Sequence, residues 1–401
     1  MIATSLPKGV VEDVGFAPWP HYDADEIEAV AAVLRSGKVN YWTGDECRAF
    51  EREYAAYVGT RHAVAVANGT VALELALYAL DIGPGDEVIT SSRTYVSSAS
   101  CIVMRGATPV IADVDPDSQV VTTDTIRAVV SPRTKAIIVV HLAGWPCDMD
   151  SILALANELN LKVIEDCAQA HGAFYKDRPV GSFGDMAAFS FCQDKIISTG
   201  GEGGVLTLND ETLWKKAWAY KDIGRSYDAV YNRQHGPGFR WLTESFGTNW
   251  RMTEMQAAIG RLQLRKLPDW VEKRRANAAL LTECFSRLPG LRVTDPPVGV
   301  YHSYYKYYVF VERSRLKPGW SRDRIMETIA GSGVPCMSGS CSEIYLEKAF
   351  RDLGYGPKER LPVARRLGET SLMFLVHPTL DRKMIEITGD VVAKTMRAAV
   401  L

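Results

Sequence analysis

Between residues 63 and 165 the chain alternates short apolar runs with longer stretches whose apolar residues recur every three or four positions. The runs at 63–67, 87–90, 109–114, 135–141 and 162–165 predict strands, and they are close to continuously apolar. The stretches between most of them, at 71–80, 95–105, 122–130 and 149–159, predict helices. Strands that are apolar on both sides must be covered on both sides, and parallel neighbours need a crossover between them. The pattern therefore predicts an α/β fold, a mixed and mostly parallel sheet flanked by helices. Runs at 186–192 and 205–208 add two strands with no helix between them, which suits an antiparallel pair.

Before this region, residues 1–22 read as an irregular arm. Asp23 suits the cap of a helix over 25–36, with Glu26 three residues on and Gly37 as the stop; Ile27, Val30 and Leu34 share one face. After it, Thr253 and Gln256 form a capping box that opens a helix to about residue 264. A second, longer helix is expected after Pro268, ending before Pro289-Gly290. A strand at 305–312, a helix at 322–330, a strand at 373–376 and a last helix complete the chain. These elements predict a smaller C-terminal α+β domain, dividing the chain into 1–264 and 265–401.

The 401 residues suffice for one large and one smaller domain. A formal net charge of −2 creates no global field toward nucleic acid or an anionic membrane. The basic run Lys273-Arg274-Arg275 lies on a helical pattern and reads as a solvated face. No apolar run reaches the length of a membrane span, and residues 1–11 lack a charged start followed by an apolar core. The eight cysteines are scattered, with no CxxC and no Cys/His spacing for zinc. A cytoplasmic protein with free thiols and no metal is expected.

Ligands of open α/β sheets bind beyond the carboxyl ends of the strands, and four features fall there. Asn68-Gly69-Thr70 joins the strand at 63–67 to the helix at 71–80. Its backbone N–H groups suit an anion, Gly69 permits close approach and the Thr70 hydroxyl adds a donor; the same residues also suit a plain helix cap. Tyr95 follows the strand at 87–90, where its ring lies either against a planar ligand or in the core. In "VIEDCAQAHGA", Glu165 and Asp166 end a strand and Gln169 lies three residues on. A carboxylate there either caps the next helix or meets a cation. In "FSFCQDKIISTGGEGG", Ser190 and Lys195 flank a turn beside Gly200, Gly201, Gly203 and Gly204. Lys195 is there either a solvated charge or a nucleophile. An anion cradle, an aromatic plane, a buried acid and an amine together match one cofactor. Pyridoxal 5'-phosphate has a phosphate, a flat ring, a basic ring nitrogen and an aldehyde that condenses with an amine.

At these residues the sequence resembles the DegT/DnrJ/EryC1/StrS aminotransferases, the pyridoxal-phosphate sugar aminotransferases of fold type I. The likeness runs from Trp42-Thr43-Gly44 through "NGTVALELAL", "TYVSSAS", "GATPVIADVD", "VVHLAGWPCDMD" and the two motifs above to "GTNWRMTEMQAAIGRLQL". The resemblance implies that Lys195 condenses with the cofactor aldehyde and Asp166 pairs with the ring nitrogen. It implies that Gln169 contacts the ring hydroxyl and Tyr95 stacks on the ring. Gly69, Thr70 and Ser190 would hold the phosphate, and Asn249 would reach the phosphate of a neighbouring subunit, so that a homodimer shares its active sites. Ping-pong transfer of an amino group from L-glutamate to a nucleotide-linked keto-sugar is implied, with a 4-keto-6-deoxy hexose first and a 3-keto sugar next. Such a step serves amino-sugar biosynthesis for a surface polysaccharide or a glycosylated metabolite.

Two departures stand out. Cys192 occupies a place where the family often has histidine or an aromatic residue, and "GVPCMSGSCSEIY" lacks a basic, histidine-containing pattern seen in many members. His377-Pro378 resembles a late family motif and reads as structural. Three other readings compete. A dehydratase of the same family would replace Lys195 with histidine. A non-catalytic binding protein would have no need of lysine, acid and cradle together. A nicotinamide-dependent oxidoreductase would show a GxGxxG turn after a strand, and the chain has none.

Overall fold

The computed structural model describes residues 15–401. In chain order the elements begin with α1 (Ala24–Ser36), α2 (Glu46–Val58), β1 (His62–Val66), α3 (Gly69–Ala79), β2 (Glu87–Ser91), α4 (Ser97–Met104) and β3 (Thr108–Ala112). They continue with α5 (Thr123–Arg127), β4 (Thr134–Val140), α6 (Met149–Glu158), β5 (Lys162–Asp166), β6 (Phe174–Tyr175), β7 (Arg178–Pro179), β8 (Met186–Ser190) and β9 (Gly204–Leu208). Helices α7 (Glu211–Lys221), α8 (Tyr227–Tyr231) and α9 (Glu254–Phe285) follow. The C-terminal part holds β10 (Leu291–Arg292), β11 (Val300–Tyr301), β12 (Tyr307–Val311), α10 (Arg322–Gly331) and β13 (Cys336–Met337). It closes with α11 (Lys348–Asp352), α12 (Pro362–Thr370), β14 (Ser371–Phe374) and α13 (Arg382–Ala399).

Seven strands form the main sheet in the order β1-β9-β8-β5-β4-β2-β3. The pairs from β8 through β3 are parallel, while β9 runs antiparallel to both β8 and β1. The predicted antiparallel pair is thus β8 and β9. Strand β4 shows why the runs are apolar throughout. Ala136 and Ile138 point to one side with Leu73, Ala76 and Ile102 of α3 and α4; Ile137 and Val139 point to the other with Ile152 and Leu155 of α6. On that second side, Phe50 and Tyr54 of α2 and Leu264 and Leu267 of α9 cover Ala65, Ala187 and Phe189. A four-stranded antiparallel sheet, β10-β12-β14-β13, packs with α10, α13 and the end of α9 around Val309, Leu372 and Phe374.

Three helical expectations change. One continuous 32-residue helix, α9, replaces the two expected on either side of Pro268, and it crosses position 265 without a break. A proline inside a helix costs about 3 kcal/mol or more. Leu264, Leu267 and Val271 bury into the main core, and Ala278, Leu281 and Phe285 into the C-terminal one. One apolar stripe serving two cores outweighs the lost hydrogen bond. Helix α1 turns the opposite way from its predicted face: Glu26 and Val33 are buried, whereas Ile27 and Leu34 are 64% and 55% exposed. The Lys266 amine on α9 lies 2.9, 2.8 and 2.8 Å from carboxylate oxygens of Asp23, Asp25 and Glu26, which draws the acidic face inward. The sequence reading did not mark α2, although its buried Cys47, Phe50, Glu51, Tyr54 and Val58 recur at helical spacing.

Candidate active site

Strand β5 ends in two adjacent carboxylates that point to opposite sides of the sheet and meet different surroundings. Glu165 accepts the backbone N–H groups of Gly181, Phe183 and Gly184 at 2.7, 2.7 and 2.8 Å, and the Nε2 of His141 at 3.0 Å. Those bonds satisfy it and pin the 181–184 loop. Asp166 accepts the Ser98 hydroxyl at 2.7 Å and the Ala168 N–H at 3.1 Å. Burial pushes its pKa up, against the lowering effects of these two bonds and then of Lys195 and His141. A buried carboxylate so placed favours a neighbouring cation.

Gln169 is buried next to Asp166, and its Oε1 accepts the Ala143 N–H at 2.8 Å, which leaves Nε2 as a donor. Both readings of Asn68-Gly69-Thr70 hold at once. Asn68 Oδ1 accepts the Val71 N–H at 3.0 Å as a cap, and the first amides of α3 remain available to an anion. A Cβ on residue 69 would sit 2.6 Å from the Ser190 Cβ, so only glycine lets α3 approach the end of β8 this closely. The Thr70 and Ser97 hydroxyls lie 2.7 Å apart. His171, missed as a site residue, holds Ser190 from behind. Its Nε2 donates to the Ser190 carbonyl and its Nδ1 accepts from Tyr54, each at 2.8 Å. Burial lowers the His171 pKa to about 3, so the ring is neutral.

Tyr95 is 54% exposed, which rules out the core reading and leaves a ring face open. Lys195 is no solvated charge; it is buried in the turn after β8. Its Nζ lies 4.0 Å from Asp194 Oδ1 and 5.0 Å from the Tyr305 ring centroid. The Trp19 indole N–H donates to its carbonyl at 2.8 Å. Arg274, expected on a solvated face, is also buried, with its guanidinium carbon 5.0 Å from the Trp19 ring centroid and one N–H on the Tyr305 carbonyl at 3.3 Å. Asn249 lies elsewhere, exposed and bridged to Asp222 just before α9. His377 is buried and stacks on Trp19 at 5.9 Å, a structural position. The unusual 334–345 segment reaches the Tyr95 loop: Thr94 donates to the Cys341 carbonyl at 3.2 Å and Ile344 to the Ser92 carbonyl at 3.0 Å.

A model of the DegT/DnrJ/EryC1/StrS aminotransferase family matches residues 20–393. The chain belongs to that family. The aminotransferase is 43% identical to the GDP-perosamine synthase of Caulobacter vibrioides over 71% of its own length and 73% of that protein. It is 35% identical to the dTDP-3-amino-3,4,6-trideoxy-alpha-D-glucose transaminase of Streptomyces venezuelae, covering 91% and 90% of the two chains. Among solved structures it superposes on an aminotransferase from Psychrobacter cryohalolentis with a TM-score of 0.94 and 55% identity, over 96% of this chain and 99% of that one. The expected fold type I architecture and pyridoxal phosphate dependence are borne out, as is the expected sugar aminotransferase class. The residues present fit the cofactor. The glycine-only contact at Gly69 leaves room for an anion beside the start of α3, and buried Asp166 is a carboxylate that suits a cationic ring nitrogen. Among the described residues no helix is long and apolar enough to cross a membrane.

Proposed function

We propose that this aminotransferase moves an amino group from L-glutamate to a nucleotide-linked keto-sugar, a 4-keto-6-deoxy hexose first, as a cytoplasmic homodimer. The Caulobacter relative is named a GDP-perosamine synthase, and the Streptomyces relative a transaminase of a dTDP-linked amino sugar. The observation that carries the reading is the buried Asp166 at the end of β5, with Lys195 as a buried amine in the turn after the adjacent strand β8. When bound, the cofactor supplies an aldehyde that captures amines and a protonated ring that accepts electrons from the carbon being deprotonated.

The protein's residues do the rest. Asp166 holds the ring nitrogen in its protonated form, with Ser98 and Ala168 fixing the carboxylate. Gln169 donates to the ring hydroxyl, and Tyr95 covers the ring. Gly69, Thr70 and Ser190 bind the phosphate. Lys195 Nζ takes the proton from the donor's α-carbon and later returns one to the sugar carbon. Asn249 completes the phosphate site of the partner subunit. Support for the dimer comes from Phe239, Trp241 and Phe246, exposed in the stretch that leads to Asn249, and from exposed Ile27 and Leu34 on α1.

Borohydride reduction of the loaded enzyme, followed by peptide mapping, tests the core of this reading. The cofactor should be recovered on Lys195; recovery on another lysine overturns it. A scan of keto-sugar nucleotides with glutamate, following 2-oxoglutarate release, tests the substrates.

A further inference from the structure

Lys195 must leave the cofactor each time a substrate amine takes its place, and the freed amine, which becomes an ammonium when it takes a proton, needs an acceptor inside the pocket. The carboxylate of Asp194 faces it. Its Oδ1 is buried, has no hydrogen-bond partner among the described residues, and lies 4.0 Å from Lys195 Nζ. The other oxygen, Oδ2, accepts the Tyr305 hydroxyl, which fixes the carboxylate plane and leaves Oδ1 aimed toward the amine. Tyr305 is itself immobilised. It is buried at the start of the segment leading into β12, its N–H donates to the Ala143 carbonyl at 2.8 Å, and its carbonyl accepts from Arg274 at 3.3 Å. The Trp19 indole donates to the Lys195 carbonyl at 2.8 Å, which anchors the lysine backbone.

We infer that Asp194, oriented by Tyr305, is the resting acceptor for the Lys195 amine whenever it is released from the cofactor. This rests on Lys195 being the lysine that binds the cofactor. Holding the amine breaks no covalent bond: the released neutral amine donates one N–H to Oδ1, the ammonium formed when it takes the donor's α-proton keeps that contact, and it is a neutral amine again once it has passed that proton on. Two other cations share the pocket. Lys306 lies 4.7 Å from the Tyr305 ring centroid, and Arg274 packs beneath Trp19. Among the described residues, neither forms an ion pair with Asp194, so Lys195 alone is within range. Burial lowers Lys306 to about 8, against an upward pull from Asp194 and with Arg274 and Lys195 lowering it further. Burial likewise lowers Arg274 to about 9, with Tyr305 and Asp194 opposing. Asp194 is therefore the carboxylate that these surrounding cations feel. Cys192, whose thiol burial pushes up, and Glu202 lie on the outer side of the same turn.

The test uses the full-length protein saturated with pyridoxamine phosphate, the aminated cofactor, so that Lys195 is unattached. Acetic anhydride is applied at one near-neutral pH, and acetylation is quantified peptide by peptide with exposed Lys38 as the internal reference. An amine held by a carboxylate reacts slowly. Losing that partner in Asp194→Asn should raise Lys195 labelling about tenfold relative to Lys38, the scale of one hydrogen bond to a charged group. Tyr305→Phe keeps the carboxylate but frees its plane, and should raise labelling in the same direction by a smaller factor. It also serves as the test should Asp194→Asn not fold. With the keto-sugar nucleotide saturating and glutamate varied, Asp194→Asn should lower kcat while leaving KM for glutamate unchanged. Equal Lys195 labelling in wild type and both variants, or a rise matched at Lys38, overturns the inference. Borohydride mapping separates the two levels. Cofactor on Lys195 with unchanged labelling removes only the role of Asp194, whereas cofactor on a different lysine removes the reading beneath it.

Discussion

Two pockets flank the same pair of strands, and they treat buried charge in opposite ways. Around Glu165 each carboxylate oxygen is used: three loop amides and His141 converge on it, and the 181–184 loop is locked in place. Around Lys195 charge is left incomplete. Among the described residues, Asp194 Oδ1 and the Nε and Nη2 of Arg274 are buried without hydrogen-bond partners, and Asp166 is held by one hydroxyl and one amide. A buried polar atom without a partner costs about 1–3 kcal/mol, so a fold retains it only where something else compensates. The filled pocket maintains the fold; the other is the one in which the proposed function has cofactor and substrates bind.

The contrast can be broken by experiment. Replacing Lys195 with alanine should abolish turnover while leaving the thermal unfolding midpoint within a few degrees of wild type; retained turnover would place the chemistry elsewhere. Asp166→Asn should come next. Loss of the counter-charge should lower kcat/KM by several kcal/mol, about a hundredfold or more, in steady-state assays of a protein that still binds cofactor. Glu165→Ala should show the reverse pattern. Four donors lose their acceptor, so urea unfolding should show about 3–5 kcal/mol less stability, while the folded fraction keeps its activity. The smallest effect belongs to Ser98→Ala. The Ser98 bond lowers the Asp166 pKa, so its loss raises that pKa further. Asp166 then protonates at higher pH, and the acid limb of kcat/KM should move to higher pH. A limb that stays in place, or moves down, would take Ser98 out of the site.

Much of the fold was legible from the order of residues, because strands buried on both faces have to be apolar throughout. The runs that became β1 to β5, β8 and β9 needed no other information. Helix boundaries near Pro268 were not legible, since a proline's local penalty is visible in sequence while the two cores that α9 joins are not. The face of α1 was misread for a similar reason: Lys266 lies more than two hundred positions away, and its attraction for Asp23, Asp25 and Glu26 outweighs the burial of Ile27 and Leu34. In the site, Lys195, Asp166, Gln169, Gly69, Thr70, Ser190 and Tyr95 stood out because each ends a strand or follows one within a few residues. Ser98, His171, Tyr305 and Trp19 did not, because their part depends on what they touch.

The sequence by itself determined the alternation of strand and helix, the family and the set of groups at the strand ends, since each is written in neighbouring residues. Only the tertiary structure decided which of two adjacent carboxylates is saturated, which arginine is buried and which oxygen faces the lysine. Burial and hydrogen-bond satisfaction are sums over parts of the chain that lie far apart in sequence, and they acquire values only when those parts meet.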